Sequence, residues 1–193
     1  MSEPVLLLLD VDGVLNALAR PLPADLTWRT GRATAHGRSF EIAWAPEVVA
    51  RLVALHTSDE VELRWLTTWG HDANTSLRQL LEMPELTVAG TYQDAYDPAS
   101  DGDPDAQPGS LAAVTPAARD GLTGRWWKFD VVTSLLVGEP GRRLVWLDDD
   151  LAGEADLARW TRLQTDALTL APEPTTGLTA ADLDGVEAFV RAG

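Results

Sequence analysis

The chain contains no cysteine, which excludes disulfides and thiolate metal sites and fits a reducing compartment, so a cytoplasmic location is expected. Long apolar runs are also missing. The longest, Val5 to Leu9, falls far short of the roughly 20 residues that cross a bilayer, so no membrane partner is expected. No basic segment precedes that run and acids follow it, so no signal peptide is expected either. Positive charge is scarce: 15 Lys and Arg stand against 30 Asp and Glu, for a formal net charge of −15. Such a field repels nucleic acid and anionic membranes at long range and disfavours bulk binding to them, which leaves a role only for local basic patches. Lysine is the scarcest of all, since every basic residue except Lys128 is arginine. A lone lysine in an arginine-biased chain suits a site that needs a compact ammonium rather than a guanidinium fork; chance is the competing explanation.

At 193 residues and 45% hydrophobic, the composition suits one globular domain spanning 1–193. The chain is organised around Val5 to Asn16, VLLLLDVDGVLN. Its apolar run shows no polar alternation, as expected of a central parallel strand buried on both faces. It ends at Asp10 and Asp12, which would stand in the crevice where open α/β sheets bind ligands. Gly13 supplies the backbone freedom for a sharp exit. Two acids without a basic neighbour repel each other unless a cation intervenes, and Mg²⁺ is the natural candidate for an all-oxygen site.

Segment 17–45 reads as a loop plus a small β-hairpin inserted beside the first strand, a flap or minimal cap. From Ala17 to Phe40 its charge is positive, with Arg20, Arg29, Arg32 and Arg38 against Asp25. That contrast suits a surface facing an anion, for which Arg29 and Arg32 are the candidates, although scattered arginines are commonly just solvated. Pro46 opens a helix; Val61 to Leu66 reads as a strand closed by Thr67 and Thr68, and Asp72 to Glu82 as a helix before a short strand at Leu86 to Ala89. Segment 92–110 reads as a mobile acidic loop, rich in Asp and Pro. A helix from Trp127 or Lys128 leads to a second apolar strand, Arg143 to Leu147, which also stops at carboxylates: Asp148, Asp149 and Asp150. Further on come a helix at Ala152 to Arg162, a strand at Ala167 to Leu170, and a final helix capped by Thr179 with Asp182. The β-α-β order predicts an α/β fold: a Rossmann-like three-layer sandwich with a mostly parallel central sheet and the small hairpin flap.

Each motif alone is weak, but their order is not. Asp10-Val11-Asp12-Gly13-Val14, then Thr67, then Lys128, then Asp148-Asp149 resembles the four motifs of the haloacid dehalogenase (HAD) superfamily, phosphatase branch. The WLTTW stretch at Trp65 to Trp69 and the hairpin after the first motif are also similar to the HAD domains of bacterial RNA-repair proteins. The resemblance implies a Mg²⁺-dependent phosphomonoester hydrolase working through an aspartyl-phosphate. Asp10 would be the nucleophile and Asp12 the general acid and base. Thr67, Thr68 and Lys128 would bind the phosphoryl oxygens, and Asp10, the backbone carbonyl of Asp12, Asp148 and Asp149 would hold the metal. The acid at Asp12 points to a phosphatase or phosphotransferase, because the dehalogenases lack one there. The substrate is a phosphorylated small molecule on the first reading and a nucleic-acid end on the alternative. A non-catalytic module that binds phospho-ligands is the third. Trp69, His71 and Asn74 could line the pocket, and Trp126 and Trp127 are candidate core residues that fix Lys128.

Overall fold

The computed structural model describes residues 3–22, 24, 27–92 and 126–193. The acidic segment expected at 92–110 falls, Tyr92 apart, outside the described residues. Strand β1 (Val5–Leu9) is buried along its whole length, which its unbroken apolar run permits. After it come an antiparallel pair, β2 (Arg29–Ala35) and β3 (Arg38–Trp44), then helix α1 (Pro46–Thr57) and strand β4 (Val61–Trp65). A 3-10 turn (Gly70–Asn74), helix α2 (Ser76–Leu81) and the short strand β5 (Thr87–Val88) follow. The C-terminal part holds α3 (Trp127–Gly138), β6 (Leu144–Leu147), a second 3-10 turn (Asp149–Ala152), α4 (Ala155–Gln164), β7 (Ala167–Leu170) and α5 (Ala180–Arg191).

Five strands form one parallel sheet in the order β5-β4-β1-β6-β7. The chain builds from β1 towards one edge, then crosses back and builds towards the other. β1 therefore lies where the winding reverses, and the crevice at its carboxyl end is where such sheets bind ligands. Alternate residues of each strand face opposite layers. Leu7, Leu9, Leu63, Trp65 and Leu147 pack with Val48, Val49 and Leu52 of α1 and with Leu183 and Val186 of α5. On the other face Leu6, Leu8, Leu144 and Trp146 pack with Phe129 and Val132 of α3 and Ala158 of α4. This is the expected sandwich of three layers. No helix among the described residues is long and apolar enough to cross a membrane.

The helix expected over Asp72 to Glu82 is divided at Thr75 into the 3-10 turn and α2. The reason is Asn74, whose Oδ1 accepts the Trp65 indole N–H (3.0 Å) and the Leu86 N–H (3.1 Å) and whose Nδ2 donates to the Leu86 carbonyl (2.6 Å). The hairpin turns through His36 and Gly37, both with positive φ, the geometry that suits the right-handed twist of its strands. Far from the site, Glu62 and Arg64 of β4 form a closed ring of alternating charge with Glu139 and Arg142 at the C-terminal end of α3. Arg142 also donates to the Pro4 carbonyl (3.1 Å).

Candidate active site

Sheet pairing runs one residue beyond β1. The Asp10 N–H donates to the Leu147 carbonyl (3.1 Å), and the Leu66 N–H donates to the Leu9 carbonyl (3.0 Å). Asp148 is anchored in the same way, its N–H donating to the Leu170 carbonyl (3.1 Å). Both acids are buried, and between them sits Lys128, from the first turn of α3. Its Nζ donates to Asp10 Oδ2 (2.6 Å) and to Asp148 Oδ2 (2.7 Å). A cation in the first turn opposes the helix dipole, so the two carboxylates rather than the helix account for its place. Trp126 stacks on Trp146 with ring centroids 5.3 Å apart, and Lys128 Nζ lies 5.3 Å from the Trp126 centroid. Trp126 and Trp127 are buried, as expected of residues that fix the lysine.

Burial disfavours the Lys128 ammonium, but Asp10 and Asp148 outweigh it and raise its pKa above the ordinary value. Burial likewise raises Asp10 and raises Asp148 well above the usual carboxylate range, with Lys128 opposing both shifts. Asp149, half-buried, is pushed up to about 6 by burial and by the neighbouring Asp10 and Asp150. One carboxylate oxygen from each of Asp10, Asp148 and Asp149 lies within 4.8 Å of the others. Three carboxylates against one ammonium leave two negative charges in a desolvated pocket, and the donor set is all oxygen. Both properties fit a hard divalent cation. Gly13 belongs to the same construction: its φ is +75°, and a Cβ there would stand 2.4 Å from the Asp149 carboxyl carbon.

Asp12 stands apart from the three-carboxylate cluster. Its Oδ1 accepts the Asn16 amide (2.7 Å) and its Oδ2 accepts the Trp69 indole N–H (2.9 Å), so its orientation is set from two sides. Asn16 is fixed in turn, because its Oδ1 accepts the Ala43 N–H (2.9 Å). Thr67 is buried after β4, and its hydroxyl oxygen accepts the Trp69 N–H (3.3 Å), which leaves the O–H proton free to donate to a ligand. Thr68 is half-buried, and its carbonyl accepts the His36 ring Nε2–H (2.8 Å).

The structure thus brings Asp10, Lys128, Asp148 and Asp149 together and sets Asp12, Thr67 and Thr68 on the loops around them. Arg29 and Arg32 are engaged elsewhere. Three residues apart on a strand, they lie on opposite faces of the hairpin: Arg29 pairs with Glu82 (3.5 Å), and Arg32 donates to Ser39 Oγ (3.0 Å). His71 is exposed and Asn74 is structural, whereas Trp69 reaches Asp12. Sequence reasoning missed Asn16 and His36. The only available signal for Asn16 was an amide four residues after Asp12, and for His36 a His-Gly turn between two short alternating runs.

The sequence matches the family described as the HAD domain in Swiss Army Knife RNA repair proteins over residues 6–183. No curated protein and no solved structure matches it. The match covers every strand of the parallel sheet except the first residue of β1, and all the acidic and basic residues of the cluster; it makes the protein a HAD-type hydrolase or phosphotransferase. By that match, the chain belongs to the HAD domains of Swiss Army Knife RNA repair proteins.

Proposed function

We propose that the protein is a Mg²⁺-dependent phosphomonoesterase that removes a terminal phosphate from a nucleic-acid end through an aspartyl-phosphate intermediate. The single observation that carries the chemistry is the buried Asp10–Lys128–Asp148 bridge beside Asp149, and the family's RNA-repair description favours a nucleic-acid end over a small phosphomonoester. Asp10, Asp148 and Asp149, with the backbone carbonyl of Asp12, would hold the cation, which when bound adds positive charge to an anionic phosphoryl group and lessens its repulsion of a carboxylate nucleophile.

Asp10 attacks phosphorus: a bond forms from its carboxylate oxygen, and the bond to the leaving ester oxygen breaks. Asp12 donates a proton to that leaving oxygen, then takes one from the water that attacks the phosphorylated Asp10, releasing phosphate and restoring the free carboxylate. Lys128 keeps a third N–H beyond its two bonds to carboxylates, and this, with the Thr67 hydroxyl, stabilises charge on the phosphoryl oxygens. Trp69 and Asn16 hold Asp12 at the leaving-group side.

The test is phosphate release from oligonucleotides phosphorylated at either end and from small phosphomonoesters, with Mg²⁺ or chelator. Asp10→Asn should abolish release, and Asp12→Asn should slow it by about 10²- to 10⁴-fold. Equal rates in the wild type and Asp10→Asn would overturn the mechanism. Release from small esters alone would overturn the substrate.

A further inference from the structure

The hairpin approaches the site at its tip. The His36 N–H donates to Asp72 Oδ2 (2.7 Å) and the His36 ring to the Thr68 carbonyl (2.8 Å), so two bonds tie the turn to the segment that follows β4. Further along, the Thr34 N–H donates to Ser76 Oγ (2.6 Å), and the Leu80 side chain occupies the space a Cβ at Gly31 would need. The hairpin is therefore held against the loop that carries Thr67 and Thr68.

Residues paired across two strands share a face. Ala35 pairs with Arg38 and Ala33 with Phe40, so Arg38 lies on the face that carries Phe40. Phe40 packs on Trp69, with ring centroids 5.5 Å apart, and the Trp69 indole holds Asp12. The other arginines of the region are engaged: Arg20 with Glu41 (3.4 Å), Arg29 with Glu82 (3.5 Å) and Arg32 with Ser39 Oγ (3.0 Å). The Arg38 side chain is exposed and makes no ion pair or hydrogen bond among the described residues, in a chain with twice as many acids as bases.

We infer that Arg38 is a specificity-determining residue: it forms a second anion subsite at the mouth of the site and takes the phosphodiester next to the reacting phosphate of a polynucleotide end. This rests on the proposed action on nucleic-acid ends and adds what reads them. A guanidinium fork matches two phosphate oxygens, and a cation at the mouth offsets the repulsion that the net charge exerts on an approaching polyanion. A small phosphomonoester has no second phosphate to offer.

The experiment compares kcat/KM for a terminally phosphorylated dinucleotide with that for the corresponding mononucleotide, in the wild type, Arg38→Ala and Arg32→Ala. Arg38 is exposed, so its substitution should leave the fold intact. In Arg38→Ala the dinucleotide-to-mononucleotide ratio should fall about tenfold, mainly through the dinucleotide KM. With a longer single-stranded oligonucleotide bearing the same terminal phosphate, the slope of log kcat/KM against log salt should fall in magnitude by about 0.7, as expected when one phosphate of a single strand is no longer neutralised by the protein. Arg32→Ala should keep the wild-type ratio. An unchanged ratio in Arg38→Ala, or an equal fall in Arg32→Ala, overturns the subsite while leaving the phosphatase standing. A wild type that releases no phosphate from any nucleic-acid end overturns the proposed substrate and the subsite with it.

Discussion

Replacing Lys128 with methionine keeps the length of the side chain and removes its charge, which isolates the electrostatic role of the buried bridge. In the wild type one ammonium serves two buried carboxylates, at 2.6 and 2.7 Å. Removing one partner of a buried ion pair leaves uncompensated charge and costs about 3–5 kcal/mol. That is a large part of the roughly 5–15 kcal/mol by which a domain is stable, so urea unfolding in chelator should show a clear fall in midpoint. A second substitution sharpens the test. In the wild type Asp148→Asn weakens a charge-assisted hydrogen bond and should cost about 1–3 kcal/mol. In Lys128→Met the same change removes an unpaired buried charge, so it should stabilise. The sign reversal is the signature of a shared ammonium. Equal costs of Asp148→Asn in both backgrounds, or a Lys128→Met penalty under about 1 kcal/mol, would refute the electrostatic account.

Gly13→Ala would push a methyl group into the Asp149 carboxyl, 2.4 Å from the ideal Cβ, and at a positive φ. Mg²⁺ affinity, read by titration of tryptophan fluorescence, should fall about 10- to 100-fold, and unchanged affinity would remove Asp149 from the metal site. Glu62 has its pKa lowered to about 2, chiefly by its hydrogen bond from Arg64 and further by Arg142, with burial opposing. A depressed carboxylate contributes stability above its unfolded value and loses it as pH falls through the folded one, so the contribution should fade from about pH 4.5 towards pH 2. In urea melts, Glu62→Gln should therefore cost roughly 1–2 kcal/mol at neutral pH, after allowance for solvent screening, and progressively less on acidification. A penalty independent of pH would contradict the assignment.

The parts of the fold that depend on local pattern were legible in the sequence. Val5 to Leu9 reads as a doubly covered strand because nothing polar interrupts it, and Thr179 with Asp182 forms the expected capping box. The meeting of Asp10, Lys128 and Asp148 could be anticipated because strand ends and a helix start converge on one edge of a parallel sheet. Two things escaped. Arg29 and Arg32 look like a pair in sequence, yet residues three apart on one strand face opposite ways, a consequence that becomes visible only once 29–35 is read as a strand. The break at Thr75 follows from hydrogen bonds between Asn74 and both Trp65 and Leu86, partners 9 and 12 residues away. Helical periodicity carries no trace of that break.

The charged ring at the far end of α3 bears on the Asp10–Lys128–Asp148 bridge. Apolar packing of Phe129 and Val132 against the sheet resists separation, but the hydrophobic effect behind it is non-directional. Directional contacts near Glu139 and Arg142, fastened to Glu62 and Arg64 of a neighbouring strand, supply what that packing lacks: an axial stop. Advancing a helix by one residue moves it about 1.5 Å, enough to carry an ammonium out of hydrogen-bonding range. The ring thus fastens one end of α3 to β4 while Lys128 fastens the other to Asp10 and Asp148, so the helix is pinned by charge at both ends.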